Sequence, residues 1–297
     1  MKKRRHHYVW RKYLRAWSYN ESIYCLRDGK IFKTNLMGVA QVRDFYKLKE
    51  MSEHDLSIVY GIINNSNKNL RETHIEFIDF FQEVFELKKQ SEKLNINDKE
   101  INETIDIAIH NLEEELHGLI ENDSIPYINS ILEENIDFFN STEDRSNFSY
   151  FLMVQFVRTQ KYKKLLAEVF KNEEFKIDNI WSVISHIFAL NLGHSLANDK
   201  KIKMVLLVNN NIDEFITADQ PVFNTYEQNK DEPPKKHEFY YQVSPKLAIL
   251  LTDKLKKYTS KKYQVSNDEV IKYNKMIARN SLEQLYATSE EILRKYQ

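Results

Sequence analysis

Arg158 and Gln155 are the residues whose type and spacing point most directly to binding chemistry. They belong to a series of residues spaced alternately three and four apart, as on one face of a helix. The other members are apolar or aromatic: Phe151, Tyr162, Leu165 and Val169. An arginine inside such a stripe must be paired or must bind an anion, because an unpaired buried charge is very costly. Its planar guanidinium suits phosphate or carboxylate, so Arg158 and Gln155 predict a substrate-binding anion clamp. The alternative is an internal salt bridge to an Asp or Glu, and the pattern supports both equally.

His6 and His7 precede the first predicted helix. A helix N-terminus disfavours imidazolium, so an imidazole there stays neutral and able to accept a proton or a metal. Adjacent residues of an extended chain point in opposite directions, so one of the two would face a site. The alternative is that one histidine caps the helix and the other packs.

Asp219 follows a predicted strand and precedes Gln220 and Pro221. A carboxylate at a strand end can act as a metal ligand or general base, whereas an Asx turn would be purely structural. We expect His6 or His7, Gln155, Arg158 and Asp219 to converge on one site, with the histidines and Asp219 catalytic. The sequence leaves the cofactor unknown, and the set is compatible with a divalent metal.

Other candidate residues carry weaker signals. His186 and His194 are eight residues apart, too far for a metal pair of the i, i+4 kind, and are interpreted as core or rim. Glu113, Glu114 and Glu115 are interpreted as a solvated helix face, and Cys25 as a packing residue. The chain has no HEXXH, Cys-x-x-Cys or G-x-S-x-G motif and no Gly-rich phosphate loop.

Charge is distributed unevenly along the 297 residues. Residues 1–17 hold seven Lys/Arg and no acid, whereas residues 72–144 hold twenty Asp/Glu against four Lys. This asymmetry predicts a basic face for an anionic partner such as nucleic acid, which Lys161, Lys163 and Lys164 would extend. A single cysteine, no signal-peptide pattern and no run of about 20 apolar residues predict a cytoplasmic protein without a membrane partner.

The elements that must position these residues are mainly helical. One stripe predicts a short opening helix with Trp10, Tyr13, Leu14 and Trp17 buried, and Asp28-Gly29 predicts a type I′ hairpin. Helical periodicity then covers about 70–140, where a new helix is predicted to begin at Ile125-Pro126. Two further helices are predicted at 147–171 and 180–197. Strands are predicted at 202–208, 214–217, 239–243 and 247–252, a mobile loop at 226–236, and a terminal helix over 267–297.

The predicted fold class is therefore α+β. A predominantly helical body carries a small, mostly antiparallel sheet formed by the N-terminal hairpin and the strands of the C-terminal half. The whole chain, 1–297, is predicted to form a single domain, with residues 1–60 as helix and hairpin, 70–200 as helical body and 201–297 as strands and terminal helix.

Several motifs resemble a bacterial domain-of-unknown-function family, number four-two-three-eight. The opening His-His-Tyr-Val-Trp at 6–10 is similar to the family's His-His-Tyr-Val-Pro, with Trp10 in the place of proline. Further similarity lies at 43–46, 155–159, 215–222 and 243–245, where Ala218 and Gln220 replace a commoner Ser and Asn. The resemblance implies a bacterial cytoplasmic protein and supplies no activity.

Three functions are compatible with these residues. The first is a hydrolase acting on phosphodiesters, a nuclease-like effector in which His6 or His7 and Asp219 act on a phosphate held by Gln155 and Arg158. The second is a non-catalytic binding or regulatory module with an Arg-lined anion pocket. The third is a toxin or antiviral defence component that acts through a partner protein, by analogy alone.

Overall fold

The computed structural model describes residues 1–96, 98–171, 176–227, 234, 236–254 and 256–297. The predicted mobile loop at 226–236 therefore lies mostly outside the described residues. Within them, the helices are α1 Arg11–Leu14, α2 Glu53–Asn64, α3 Arg71–Lys93, α4 Lys99–Leu132, α5 Thr142–Val157, α6 Gln160–Val169, α7 Ile177–Asn198, α8 Asn267–Asn280 and α9 Glu290–Arg294. The strands are β1 Arg5–His7, β2 Ser22–Arg27, β3 Lys30–Asn35, β4 Gln41–Arg43, β5 Lys203–Val208, β6 Thr217–Ala218, β7 Val222–Asn224, β8 Phe239–Gln242, β9 Leu247–Thr252, β10 Lys262–Gln264 and β11 Gln284–Ala287. The α+β class with a helix-dominated body is confirmed.

The strands form more than the one sheet that the sequence predicts. A four-stranded sheet has the order β3-β2-β11-β6, a five-stranded sheet has the order β10-β5-β9-β8-β7, and β1 pairs with β4. All pairings are antiparallel except that of β10 with β5. The hairpin β2-β3 turns at Asp28 and Gly29, whose φ angles of 51° and 69° are those that a type I′ turn requires.

The C-terminal segment is not one long helix. Helix α8 ends before Ser281, and the Asp219 carboxylate accepts hydrogen bonds from the backbone N–H groups of Leu282, Glu283 and Gln284. The chain then enters β11, which lies between β2 and β6. Hydrogen bonds to distant parts of the chain thus override a local pattern that is compatible with helix.

The central helical prediction, 147–171, is also wrong, because the helix breaks at Arg158 and Thr159. Thr159 is extended (φ −81°, ψ 158°), and its hydroxyl accepts from the N–H of Tyr162, so it caps the start of α6. Gln155 and Arg158 belong to α5 and its C-terminus, whereas Tyr162, Leu165 and Val169 belong to α6. The continuous stripe that the sequence suggested therefore does not exist.

Helix α4 runs through Ile125 and Pro126, where the sequence predicted a new helix. A proline inside a helix removes one backbone donor and usually bends the helix. The Ser124 hydroxyl donates to the Glu121 carbonyl at 2.7 Å, which adds a partner for a carbonyl just before the proline. The result is a 34-residue helix long enough to line the whole helical body.

The opening segment packs against the C-terminal half as predicted. Trp10, Tyr13, Leu14 and Trp17 are all buried. Trp17 Nε1 donates to the Phe215 carbonyl at 2.7 Å, and Tyr13 OH lies 2.6 Å from Thr217 Oγ1. These bonds connect the first twenty residues to the strand that leads to Asp219.

Helices α5 and α7 form the closest pair of the body. Among the described helices, α7 alone is long and apolar enough to cross a membrane by composition, and 56% of the window that passes is buried in the protein, as in a core helix. A Cβ on Gly193 of α7 would lie 2.9 Å from the Tyr150 Cα of α5. The close approach of the two backbones therefore requires glycine.

We expect Gly193→Ala to lower the free energy of unfolding by about 1–3 kcal/mol, because backbone atoms of α5 would have to move. Gly61→Ala is the matched control, since no atom lies within 4 Å of its added Cβ. In α2 that change should stabilise the protein by about 0.5–1 kcal/mol. Urea unfolding of both variants checks this, and equal effects would contradict the close approach.

Candidate functional site

Arg158 lies at the C-terminus of α5 and is 3% exposed. Its Nε donates to Tyr46 OH at 2.9 Å, Nη2 donates to the His7 carbonyl at 2.7 Å, and Nη1 pairs with the Glu121 carboxylate. Burial lowers the pKa of Arg158, but Tyr46 and Glu121 raise it by more than burial lowers it. The net pKa lies above the usual value, so the guanidinium is charged. Every guanidinium nitrogen has a protein partner, which is the internal salt bridge that the sequence left as an alternative.

Tyr46 connects Arg158 to the first histidine. The backbone N–H of Tyr46 donates to His6 Nδ1 at 2.7 Å, and His6 Nε2 lies 3.3 Å from the Lys3 carbonyl. The His6 ring stacks on the Tyr46 ring at 5.6 Å between centroids. Both ring nitrogens of His6 are engaged by backbone groups, and burial lowers its pKa, which favours a positioning role over proton transfer.

His7 is half-buried, and its Nε2 is buried without a partner in the described structure. Its backbone carbonyl is one of the three partners of Arg158. The structure thus brings His6, His7 and Arg158 together around Tyr46. A catalytic role for either histidine stays a prediction.

Gln155, near the end of α5, and Asp219, which directly follows β6, are both buried. Gln155 is 2% exposed, and its Nε2 lacks a partner among the described residues. Burial raises the pKa of Asp219 to about 6, against the three backbone donors of 282–284 that favour the carboxylate. Because these donors occupy both carboxylate oxygens, the observed bonds of Asp219 are structural, and its predicted catalytic role is untested.

Gln220 shows what the departure from the family motif does. Its Oε1 accepts a hydrogen bond from Thr159 Oγ1, and its Nε2 donates to the carbonyls of Phe156 and Val222 at 3.0 and 2.7 Å. The amide therefore ties the break between α5 and α6 to the strand region around β6 and β7. It acts on the same turn that presents Arg158.

A second buried cluster lies beside Arg158, between helices α4, α5 and α7. Its members are Glu113 and His117, one turn apart on α4, and His186 on α7, all at most 2% exposed. One ligand atom from each lies within 4.8 Å of those of the other two. The rings of His117 and His186 are stacked with centroids 5.1 Å apart.

Several polar atoms of this cluster have no hydrogen-bond partner within the described part of the chain, although His117 Nε2 lies 3.8 Å from Glu113 Oε1. They are Glu113 Oε1, both ring nitrogens of His117 and His186 Nε2. The remaining atoms are held from outside: Ser182 Oγ donates to Glu113 Oε2 at 2.5 Å, and Tyr150 OH lies 3.3 Å from His186 Nδ1. Partners on the far atom of a ligand fix its orientation, as is usual around metals.

The pKa values of the cluster are strongly shifted by burial. Burial raises the pKa of Glu113 to about 8 and that of its neighbour Glu114 to about 7. Burial and Arg158 hold the pKa of His117 well below its usual range and lower that of His186 to about 3. Neutral imidazole is the form that binds metals, and a cation would allow Glu113 to ionise.

Glu113, His117 and His186 together are a chemically reasonable metal-binding set. Two imidazoles and one carboxylate bind Zn²⁺ and other first-row divalent ions. Metal–ligand bonds of roughly 2.0–2.2 Å would require the three side chains to approach one another from separations of up to 4.8 Å. Three protein ligands leave a coordination position for water, which is the arrangement of catalytic rather than closed structural centres.

The interpretation of Glu113 and Glu114 as part of a solvated helix face was wrong. Glu113 is buried rather than solvated, and Glu114 is half-buried, so the acidic triplet is not a solvated face. His186 is in the core and His194 is half-exposed near Asn198, as the core-or-rim interpretation expected, and the ring that stacks on His186 from α4 is His117. The i, i+4 spacing of Glu113 and His117, with Glu121 one more turn along, was the signal that could have revealed a polar stripe.

The chain belongs to the family described as "Protein of unknown function (DUF4238)", which matches residues 5–291. This confirms the resemblance carried by the opening His-His-Tyr-Val motif. No curated protein and no solved structure shows significant similarity to the chain.

We expect Arg158→Ala to lower the free energy of unfolding by about 3–5 kcal/mol, because it leaves the Glu121 carboxylate buried without its partner. Lys164→Ala is the control: it removes an exposed pair with Glu283 at 2.9 Å and should cost less than about 1 kcal/mol. Chemical denaturation measures both. Similar small costs would restore the anion-clamp interpretation of Arg158.

Proposed function

We propose that this protein is a metal-dependent hydrolase that acts on phosphodiesters, with Glu113, His117 and His186 as the metal ligands. The single observation that carries the proposal is the convergence of four polar atoms without hydrogen-bond partners from these three buried side chains, among the described residues. Leaving a buried polar atom unsatisfied costs about 1–3 kcal/mol. A bound divalent ion would satisfy the carboxylate and both imidazoles at once.

The chemistry follows from the ligand set. A divalent ion with an open position lowers the pKa of bound water toward 7 and so supplies a nucleophilic hydroxide. Arg158 is the permanent cation of the region, and its charge acts on Glu113, His117 and His186. Arg158 is already paired with Glu121, so the choice of a phosphodiester rests on the ion, which would polarise a phosphoryl oxygen.

The polar side chains near Arg158 become less exposed toward the cluster. The Glu121 side chain is 12% exposed, and His7 and Glu114 are half-buried, whereas Glu113, His117 and His186 lie deeper. The polar residues therefore run from the surface into the body. In this proposal a phosphodiester would approach past His7 and Glu121, and an ion held by the three ligands would supply an activated water for its hydrolysis.

A second candidate function follows from the depth of the triplet. All three ligands are at most 2% exposed, so the ion could stabilise a non-catalytic binding or regulatory module instead. Hydrolysis separates the two candidates, because a structural ion raises stability without turnover.

We expect the protein to bind one Zn²⁺ or similar divalent ion per chain and to hydrolyse bis(p-nitrophenyl) phosphate only when it is loaded. His117→Ala and His186→Ala should each abolish binding, measured by elemental analysis, together with turnover. His194→Ala on the same helix α7 is the matched control and should change neither. A bound ion without turnover would refute the hydrolase, and no bound ion in the intact protein would refute the metal centre.

A further inference from the structure

A large groove lies between α6 and α8, apart from the Arg158 region. Its volume is about 1700 Å³, and Thr225, Glu227, His237 and Phe239 are among the residues that line it. Its floor is partly apolar, and Leu165 and Val169 are 40% and 66% exposed there. Both helices turn one face toward the groove and the other toward the core.

The basic residues of α8 make this groove positive. Lys272, Lys275 and Arg279 lie on its groove side at spacings of three and four, and all three are exposed. In the part of the chain that the structure describes, no acidic side chain pairs with them. Seven residues of helix place Lys272 and Arg279 about 10 Å apart along the axis. This row presents three uncompensated cations to an occupant.

The N-terminal basic residues offer no comparable surface. Lys2 pairs with Asp106, Lys3 lies 3.8 Å from Glu115, and Arg4 pairs with Asp44. The predicted basic face at residues 1–17 is thus largely neutralised by acidic residues, among them two of α4. Among the described residues, α8 carries a row of three basic residues that lack such acidic partners.

A row of aromatic rings lines the same groove. His237 stacks on Phe239 at 6.1 Å between centroids, Phe239 contacts Phe156 at 5.4 Å, and Phe156 contacts Tyr162 at 5.3 Å. His237 is exposed, and Phe156 and Tyr162 are half-buried. Proteins that bind single strands combine a positive groove with aromatic rings on which bases stack.

We propose that the groove between α6 and α8 binds single-stranded nucleic acid. Lys272, Lys275 and Arg279 would contact phosphates, and His237 would stack on a base. A single strand fits better than a duplex, because only unpaired bases can use the apolar floor and the aromatic row.

This inference rests on the proposed function only in taking the bound strand as the substrate. The binding of the strand is argued from the charge and the aromatic rings of the groove. Helix α6 separates the two regions: Lys163 pairs with Asp178 at 2.8 Å and its charge acts on Glu113, while Lys164 and Leu165 line the groove. A strand bound here would be separated from the candidate metal centre by α6.

The test is fluorescence anisotropy with a labelled 20-nucleotide oligo(dT) and the matching oligo(U), at 50 to 200 mM salt. The His117→Ala variant serves as the parent, so that hydrolysis cannot remove the probe. In it, Lys272→Gln, Lys275→Gln and Arg279→Gln together should weaken binding at least tenfold. They should also reduce the slope of log K against log salt by about 2. His237→Ala should weaken binding about fivefold or more.

The control replaces Lys68, Lys200 and Lys201 by Gln, which removes the same charge from exposed positions outside the groove and should leave affinity unchanged. The inference is overturned if the parent binds neither oligonucleotide, if duplex binds as well as single strand, or if the control weakens binding equally. Binding only to anionic phospholipid vesicles or an acidic peptide also overturns it. Retained oligonucleotide binding without hydrolysis in the intact protein would sink the hydrolase proposal alone.

Discussion

The buried charge of Arg158 is the constraint on which the arrangement of the helical body depends. A guanidinium cannot lose its proton at ordinary pH, so its burial requires partners on all sides. These partners come from three distant segments: the His7 carbonyl on β1, Tyr46 after β4 and Glu121 on α4. The break between α5 and α6 presents the side chain to all three, and Thr159 and Gln220 fix that break.

This arrangement places the cluster of Glu113, His117 and His186 in an unusual environment. A permanent cation lies near two neutral imidazoles and a carboxyl group whose burial opposes ionisation. Buried polar groups normally have hydrogen-bond partners, and exceptions of this density concentrate at functional sites. Ser182 and Tyr150 hold the outer atoms of the cluster, and the inner atoms face one another.

The charge distribution has a structural explanation as well as a functional one. The basic N-terminus and the acidic α4 are complementary, and pairs such as Lys2 with Asp106 join them. Strand β1 is thereby held beside α4 at the position where its His7 carbonyl meets Arg158. Helix α8 carries a row of basic residues that have no such partner among the described residues, and a row of aromatic rings lies in the same groove.

The sequence by itself determined several of the local elements and the family. The Asp28-Gly29 turn, the buried stripe from Trp10 to Trp17 and the strands at 203–208 and 247–252 follow from patterns of a few residues. It also identified Arg158 as a buried charge, but not which partner it has. Only the tertiary structure decided that Glu121 is the partner, that Asp219 binds backbone groups at 282–284, and that Glu113 and His117 meet His186. These contacts join residues 37 to 73 positions apart, so no local spacing contains them, whereas turn and helix preferences act between neighbours.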